Sequence, residues 1–194
     1  MAARILLVAP AMTPALRRAA FEDGESIEAA AAVRAGRLAE TLPGSARALV
    51  SPTVRCGETA RALGLEEVAE EPAFARLDVG RWRGRTLEEV AGGEPEALAA
   101  WSGDSGAAPH GGESVRELCA RVAGWLDSVG AGLDGRTLAV VEPEVVRAVV
   151  LHALGAPEGA FWRIDVPPLS GTEVSGRAGR WNLRLGTALV PPVP

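Results

Sequence analysis

Few side chains in this 194-residue chain could move a proton or attack an electrophile. The histidines are His110 and His152, and the thiols are Cys56 and Cys119. Glu142 directly follows the apolar run Val140-Val141. A carboxylate at the end of a strand could take or give a proton, or stand as a salt-bridged group that fills its site. His110 lies in a loop, where a histidine is either an acid–base group or a solvent-exposed one. His152 falls within a helical pattern, where packing is the ordinary role. The cysteines have no metal-ligand spacing and read as free thiols used as small hydrophobes. The spacing of His, Asp and Glu offers no metal site, and no P-loop or Gly-x-Gly-x-x-Gly fingerprint is present, so no cofactor is expected.

The elements that must position these groups follow from hydrophobic pattern. Ile5-Leu6-Leu7-Val8 is a short continuous apolar run, as in a strand covered on both faces. An alanine-rich helical pattern covers 25–42 and stops at Pro43-Gly44. Ala46 to Val50 reads as a second strand, and 53–63 as a helix closed by Gly64. Residues 72–85 are irregular. Thr86 and Glu89 have capping-box spacing and start another helix, and Ser114 with Glu117 repeats it. Between them, 102–113 is rich in Gly, Ser and Pro and is predicted to be a loop. Val115, Leu118, Val122, Trp125, Leu126 and Val129 recur at helical spacing and should bury one face. Thr137 to Val141 is another apolar strand, with a helix over 143–154. The region 161–187 reads as antiparallel strands turning at Gly171, Gly176 and Gly179. Strands alternating with helices predict an α/β domain, a three-layer sandwich with a mostly parallel central sheet. Ligands in such sheets bind beyond the carboxyl ends of the strands, here Ala9-Pro10 and Glu142-Pro143.

Four segments carry a resemblance. They are Ser51-Pro52-Thr53-Val54-Arg55-Cys56-Gly57-Glu58-Thr59-Ala60, Leu77-Asp78-Val79-Gly80-Arg81-Trp82-Arg83-Gly84-Arg85-Thr86-Leu87-Glu88-Glu89, Pro109-His110-Gly111-Gly112-Glu113-Ser114, and Val140-Val141-Glu142-Pro143-Glu144-Val145-Val146-Arg147-Ala148. In order and spacing they resemble the histidine phosphatase, or phosphoglycerate mutase-like, superfamily. The resemblance implies that fold over 1–194, with a frayed tail over 188–194. It implies a phosphate-binding role for Arg55 and a pocket formed by the 9–13 loop, Arg55, Arg76, the 102–113 loop with His110 and Glu113, and Glu142. It also marks departures. Where the family carries Arg-His-Gly-Glu-Thr, this chain reads Ala9-Pro10-Ala11-Met12-Thr13. The family's acid falls on Arg76 and its second histidine on Glu142. Proline offers no nucleophile, and arginine cannot protonate a leaving alkoxide. Glu142 adds negative charge where a phosphoryl group would sit.

The expected function is therefore a degenerate member of that family, binding a small anionic ligand or a protein partner without phosphoryl transfer. Arg55 and Arg76 would hold a carboxylate or a zwitterion, with Arg76 alternatively pairing with Glu142. Ala9, Pro10 and Met12 would supply an apolar wall. The alternatives are an isomerase, lyase or cyclase in secondary metabolism with Glu142 or His110 as acid–base group, and a residual phosphatase using water. Composition sets outer bounds. At 47% hydrophobic and 23% charged residues the chain is globular, and its net charge of −5 argues against nucleic-acid binding. Apolar runs are too short to span a membrane, and with no signal-peptide pattern a cytoplasmic location is expected. Every basic residue is arginine, which with abundant Ala and Gly points to GC-rich bacterial coding. Related proteins imply a homodimer.

Overall fold

The computed structural model describes residues 3–44, 47–129, 135–177 and 179–184. Strands β1 (Ala3–Val8), β2 (Arg47–Val50), β3 (Ala69–Glu70), β4 (Arg136–Val140), β5 (Gly171–Arg177) and β6 (Arg180–Arg184) form one sheet in the order β3-β2-β4-β1-β5-β6. The β3-β2-β4-β1 half is parallel, and β5 and β6 add antiparallel to it. The sheet is thus mixed, with its parallel half carrying the site.

The apolar run of β1 is explained by what covers it. Successive side chains of a strand point to opposite faces. Ile5 and Leu7 join one core with α6 (Val115–Val129) and α7 (Pro143–Leu154), where Val115, Leu118, Val122 and Leu126 are buried. Leu6 and Val8 join the other with α2 (Ala29–Leu38) and α3 (Val54–Ala62), through Ala31, Ala35, Leu38 and Ala60. A sheet covered on both faces needs apolar residues at consecutive positions, which is why β1 does not alternate.

The capping boxes at Thr86 and Ser114 are present as read. Thr86 Oγ1 accepts from the Glu89 N–H at 3.1 Å, and Ser114 Oγ from the Glu117 N–H at 3.2 Å. Elsewhere tertiary contacts override local pattern. The helix expected from 25 begins only at Ala29, because Ser26 and Ile27 bond the Glu58 carboxylate and the Glu28 N–H bonds the Met12 carbonyl. The loop expected at 102 begins later, because α5 (Pro95–Gly103) runs into it. Pro95 lacks an N–H and separates α5 from α4 (Leu87–Gly93). Toward the end, Glu158–Arg163 is a short 3-10 helix, and Gly171 opens β5 instead of turning it. Gly176 is not a turn either: it faces Trp181 inside the β5–β6 pair, where a Cβ would lie 2.2 Å from the Arg180 carbonyl. The turn is at Gly179, in the left-handed region. The side chain of Val129, and residues 185–187 and the tail expected to fray, lie outside the described residues.

Two glycine motifs form a structural clasp. The Glu113 N–H donates to the Asp78 carbonyl at 2.7 Å, and the Arg81 N–H to the His110 carbonyl at 3.1 Å. A Cβ on Gly112 would fall 2.0 Å from the Asp78 carbonyl, and one on Gly80 2.3 Å from that of His110. Only glycine allows two backbones to approach this closely.

Candidate functional site

The candidate site forms where α3 and α7 begin, beyond the carboxyl ends of β1, β2 and β4. Thr53 is the N-cap of α3 and holds its first turn through the Cys56 N–H at 3.4 Å. That turn presents Arg55. Ser51, at the end of β2, donates to the Phe74 carbonyl at 2.6 Å and accepts from the Glu142 N–H at 3.2 Å. Glu142 is the residue at which β4 gives way to α7, with Pro143 opening the helix.

These elements bring Arg55 and Glu142 together although 87 positions separate them. Glu142 is 0% exposed and Arg55 is 6% exposed. Arg55 Nε lies 2.9 Å from Glu142 Oε2 and 3.2 Å from Oε1, and Nη2 also bonds Oε2. Thr53 Oγ1 donates to Glu142 Oε1 at 2.7 Å. On its other side, Arg55 Nη1 meets Glu22 Oε2 at 3.2 Å. Glu22 is fixed in turn by Thr13 Oγ1 at 3.0 Å and the Glu25 N–H at 3.2 Å. Taking charges out of water costs several kcal/mol each, so such a cluster stands only when every member is matched. Here the fork of one guanidinium is shared between two carboxylates.

Protonation follows the same logic. Burial works against the charge on Arg55, but Glu142 more than offsets it, with Glu144 and Glu22 adding to the effect, so Arg55 stays above its ordinary value. Burial, reinforced by Glu142, pushes the Cys56 thiol well up, which removes it as a nucleophile. Cys119 is pushed up to about 11, mainly by burial. Glu144 is also raised, by burial first and then by Glu142.

Next to the cluster is a cavity of about 240 Å³. Pro10, Phe21, Leu77, Val79, Val166 and Pro168 give it an apolar lining, and its ionisable lining comprises Glu22, Arg55, Arg76, Glu142, Glu144 and Arg147. This differs from the pocket expected from the sequence. Arg55 is not a free anion holder, because Glu142 occupies its Nε–Nη2 edge and Glu22 meets Nη1. Arg76 lines the cavity but does not pair with Glu142; its Nη1 donates to the Glu22 carbonyl. Of the apolar wall only Pro10 is at the cavity. Ala9 is 0% exposed, with its backbone bonded to Leu169 and Ser170, and Met12 packs against the α2–α3 core.

Nothing from the 102–113 loop lines this cavity. Glu113 is held by Arg121, at 3.0 Å from Nε and 2.8 Å from Nη2. His110 is neither exposed nor at the cavity. It is 2% exposed, in edge contact with Trp82 and Trp101 at ring distances of 5.0 and 6.2 Å. Its Nδ1 accepts from the Gly112 N–H at 3.0 Å, which places the neutral ring's proton on Nε2. Burial lowers its pKa. His152 meets Asp127 at 3.1 Å, on the far part of α7.

Three cavity groups were missed by sequence reasoning as members of the site. Glu22 comes from an irregular segment with no motif of its own. Glu144 carried a signal, since it stands two residues after Glu142 in the first turn of the same helix. Its Oε2 is inaccessible to solvent and has no hydrogen-bond partner. Arg147 donates to the Ile164 carbonyl at 2.9 Å and lies over the Phe161 and Trp162 rings at 5.7 and 5.4 Å.

Among the described residues no group of three or more His, Cys, Asp or Glu could hold a metal, and no helix is long and apolar enough to cross a membrane. Chemically, the site is a cluster of two carboxylates on one guanidinium beside a small, mostly apolar cavity, set at the ends of parallel strands in an α/β sandwich.

That architecture is the phosphoglycerate mutase-like fold. The chain belongs to the histidine phosphatase superfamily, branch 1, whose family model matches residues 23–187. Phosphoserine phosphatase 1 of Hydrogenobacter thermophilus is 34% identical over 111 residues, which is 54% of this chain and 50% of that protein. A bifunctional protein of Mycobacterium tuberculosis is 34% identical over 128 residues, 63% of this chain and 35% of that protein. The chain therefore spans between about a third and a half of these relatives. The alpha-ribazole phosphatase from Shigella flexneri superposes with a TM-score of 0.85 at 20% identity, covering 98% of this chain and 99% of that one. At that identity the likeness is one of fold.

Proposed function

We propose that this protein is a degenerate histidine phosphatase that binds a small organic ligand without transferring phosphate. The observation that carries this is the bidentate seating of Glu142 on Arg55. An internal carboxylate occupies the guanidinium that the family resemblance assigns to phosphate, so a phosphoryl dianion would have to displace a buried, fully bonded anion. Neither histidine of the chain lines the cavity, and Pro10 offers no nucleophile there. Cavities of this size fall below the roughly 300–1,000 Å³ of drug-sized sites, which favours a metabolite over a protein segment.

Arg76 and Arg147 supply the free cationic edge. Among the described residues neither has a carboxylate within salt-bridge distance, and each bonds one backbone carbonyl. The ligand's anionic group therefore belongs on Arg76 and Arg147, not on Arg55.

The names of the relatives favour a second reading, hydrolysis of a phosphate ester, with water as the nucleophile. One assay separates the two. Purified protein with p-nitrophenyl phosphate and phosphoserine, in EDTA, is expected to give no turnover above background. A rate above about 1 s⁻¹, the low end of ordinary kcat values, would establish the second reading instead.

A further inference from the structure

The ionisable lining of the cavity falls into two groups. Glu142 and Glu22 share the Arg55 guanidinium, two carboxylates on one cation, an excess of one negative charge. Arg76 and Arg147, half-buried like Glu22 and Glu144, add two positive charges. Glu144 is the one carboxyl of the cavity lining with an oxygen that nothing satisfies. Its Oε2 is unpaired and turned away from solvent, and because the half-buried side chain lines the cavity, a turn about its soft terminal torsion presents that oxygen to a donor there. Glu142 has no such capacity left, since both its oxygens are engaged by Thr53 and Arg55. Glu22 is likewise held, by Thr13, Glu25 and Arg55. The remaining surface is apolar, from Phe21, Leu77, Val79 and Val166.

A simple anion would satisfy Arg76 and Arg147 but would leave Glu144 unpaired. A simple amine would do the reverse. We propose that the cavity takes a small zwitterion with an apolar side chain, its ammonium group on Glu144 and its carboxylate on Arg76 and Arg147. This rests on the ligand-binding reading above and names the ligand's chemistry. An ammonium donor completes the one unmet acceptor of the cavity, and the guanidiniums take the carboxylate as a charge-assisted contact. Burial holds Glu144 toward its neutral form in the free protein, and a cation beside it favours ionisation. The apolar lining then accounts for the side chain. Placing Glu144 in contact with the ligand makes it a specificity-determining residue, because it separates amino acids from plain acids.

The experiment uses matched probes by calorimetry on the intact chain. L-leucine and L-phenylalanine are each compared with the acid lacking the amine and with the amine lacking the carboxylate; inorganic phosphate is the fourth probe. At least one amino acid is expected to bind ten or more times tighter than its acid and its amine, with no binding of phosphate. Glu144→Gln should weaken that amino acid about tenfold and leave the deaminated acid unchanged. Deaminated acids or phosphate binding as tightly as the amino acids overturn the proposal while leaving ligand binding intact. Failure of both amino acids to bind at about 10 mM also overturns it. Turnover of a phosphate ester is a different result, and it removes the ligand-binding reading itself. Should Glu144→Gln not fold, Arg147→Met serves: amino acid and deaminated acid should weaken together, with the amine unaffected.

Discussion

Two buried clusters meet near Phe21 and solve the same problem in opposite ways. One is the Glu22–Arg55–Glu142 cluster, where two carboxylates meet one guanidinium and hold its pKa above the ordinary value despite burial. The other is aromatic: Trp82 and Trp101 pack on His110, and Phe21 packs on both tryptophans, with ring distances of 5.0–6.2 Å among them. There the titratable ring has no carboxylate partner, and burial holds it neutral. Phe21 serves both, lining the cavity with one face of the molecule's packing and touching Trp82 and Trp101 with the other. The comparison teaches that burial alone does not fix ionisation; the availability of an opposite charge decides it.

The largest test removes the partner on the charged side. Arg55→Met strands Glu142 in a dry site and should cost about 3–5 kcal/mol in urea denaturation. Replacing both, with Arg55→Met and Glu142→Leu, should recover most of that loss, because an apolar pair has no charge to desolvate. A single substitution costing less than about 1 kcal/mol would mean that water reaches the pair, and the contrast with the aromatic cluster would fail.

A smaller effect sharpens the aromatic side. Folding depresses the His110 pKa below its ordinary 6.5, so the unfolded chain binds that proton more tightly. Its contribution to stability is present above about pH 6.5 and is lost as pH falls through the lower, folded-state value. Thermal melts of His110→Leu should therefore show a shallower loss between about pH 6.5 and 5 than wild type. At neutral pH the variant should cost about 1 kcal/mol, since the Gly112 N–H loses its acceptor. An unchanged acid limb would mean that His110 is not held neutral by burial.

The smallest effect is at the surface. Arg17 pairs with Glu28 at 2.7 Å, closer than Arg55 lies to Glu22, yet Arg17 is exposed and Glu28 only half-buried. Arg17→Ala should leave the melting temperature unchanged within error, because water competes for both charges. A loss comparable to that of Arg55→Met would show that distance, not dryness, sets the strength of these pairs.

Much of the fold was legible in the chain itself. The continuous apolar run of β1 announced a strand covered on both faces, and the capping boxes at Thr86 and Ser114 announced helix starts. The Ser51-Pro52-Thr53-Val54-Arg55 segment placed an arginine in the first turn of a helix beyond a strand. These are local signals, set by side-chain period and by backbone groups a few residues apart. The site was legible only in its members. Glu142 and Arg55 could be singled out, but their pairing could not. Arg76 looked like an equal partner for Glu142 and instead bonds the Glu22 carbonyl, while His110 is the loop residue it was read as but is buried against Trp82 instead of exposed.

What the sequence by itself determined is what particular side chains can and cannot do. Pro10 cannot be a nucleophile and Arg76 cannot be a proton donor, whatever surrounds them, because those properties belong to the side chains. What only the tertiary structure decided is which charges meet. Glu22, Arg55 and Glu142 come from three separate parts of the chain, and the desolvation that binds them arises only when the sheet and its helices close over them. The same closure left the Glu144 oxygen without a partner beside a cavity, a consequence of packing that no spacing of residues encodes.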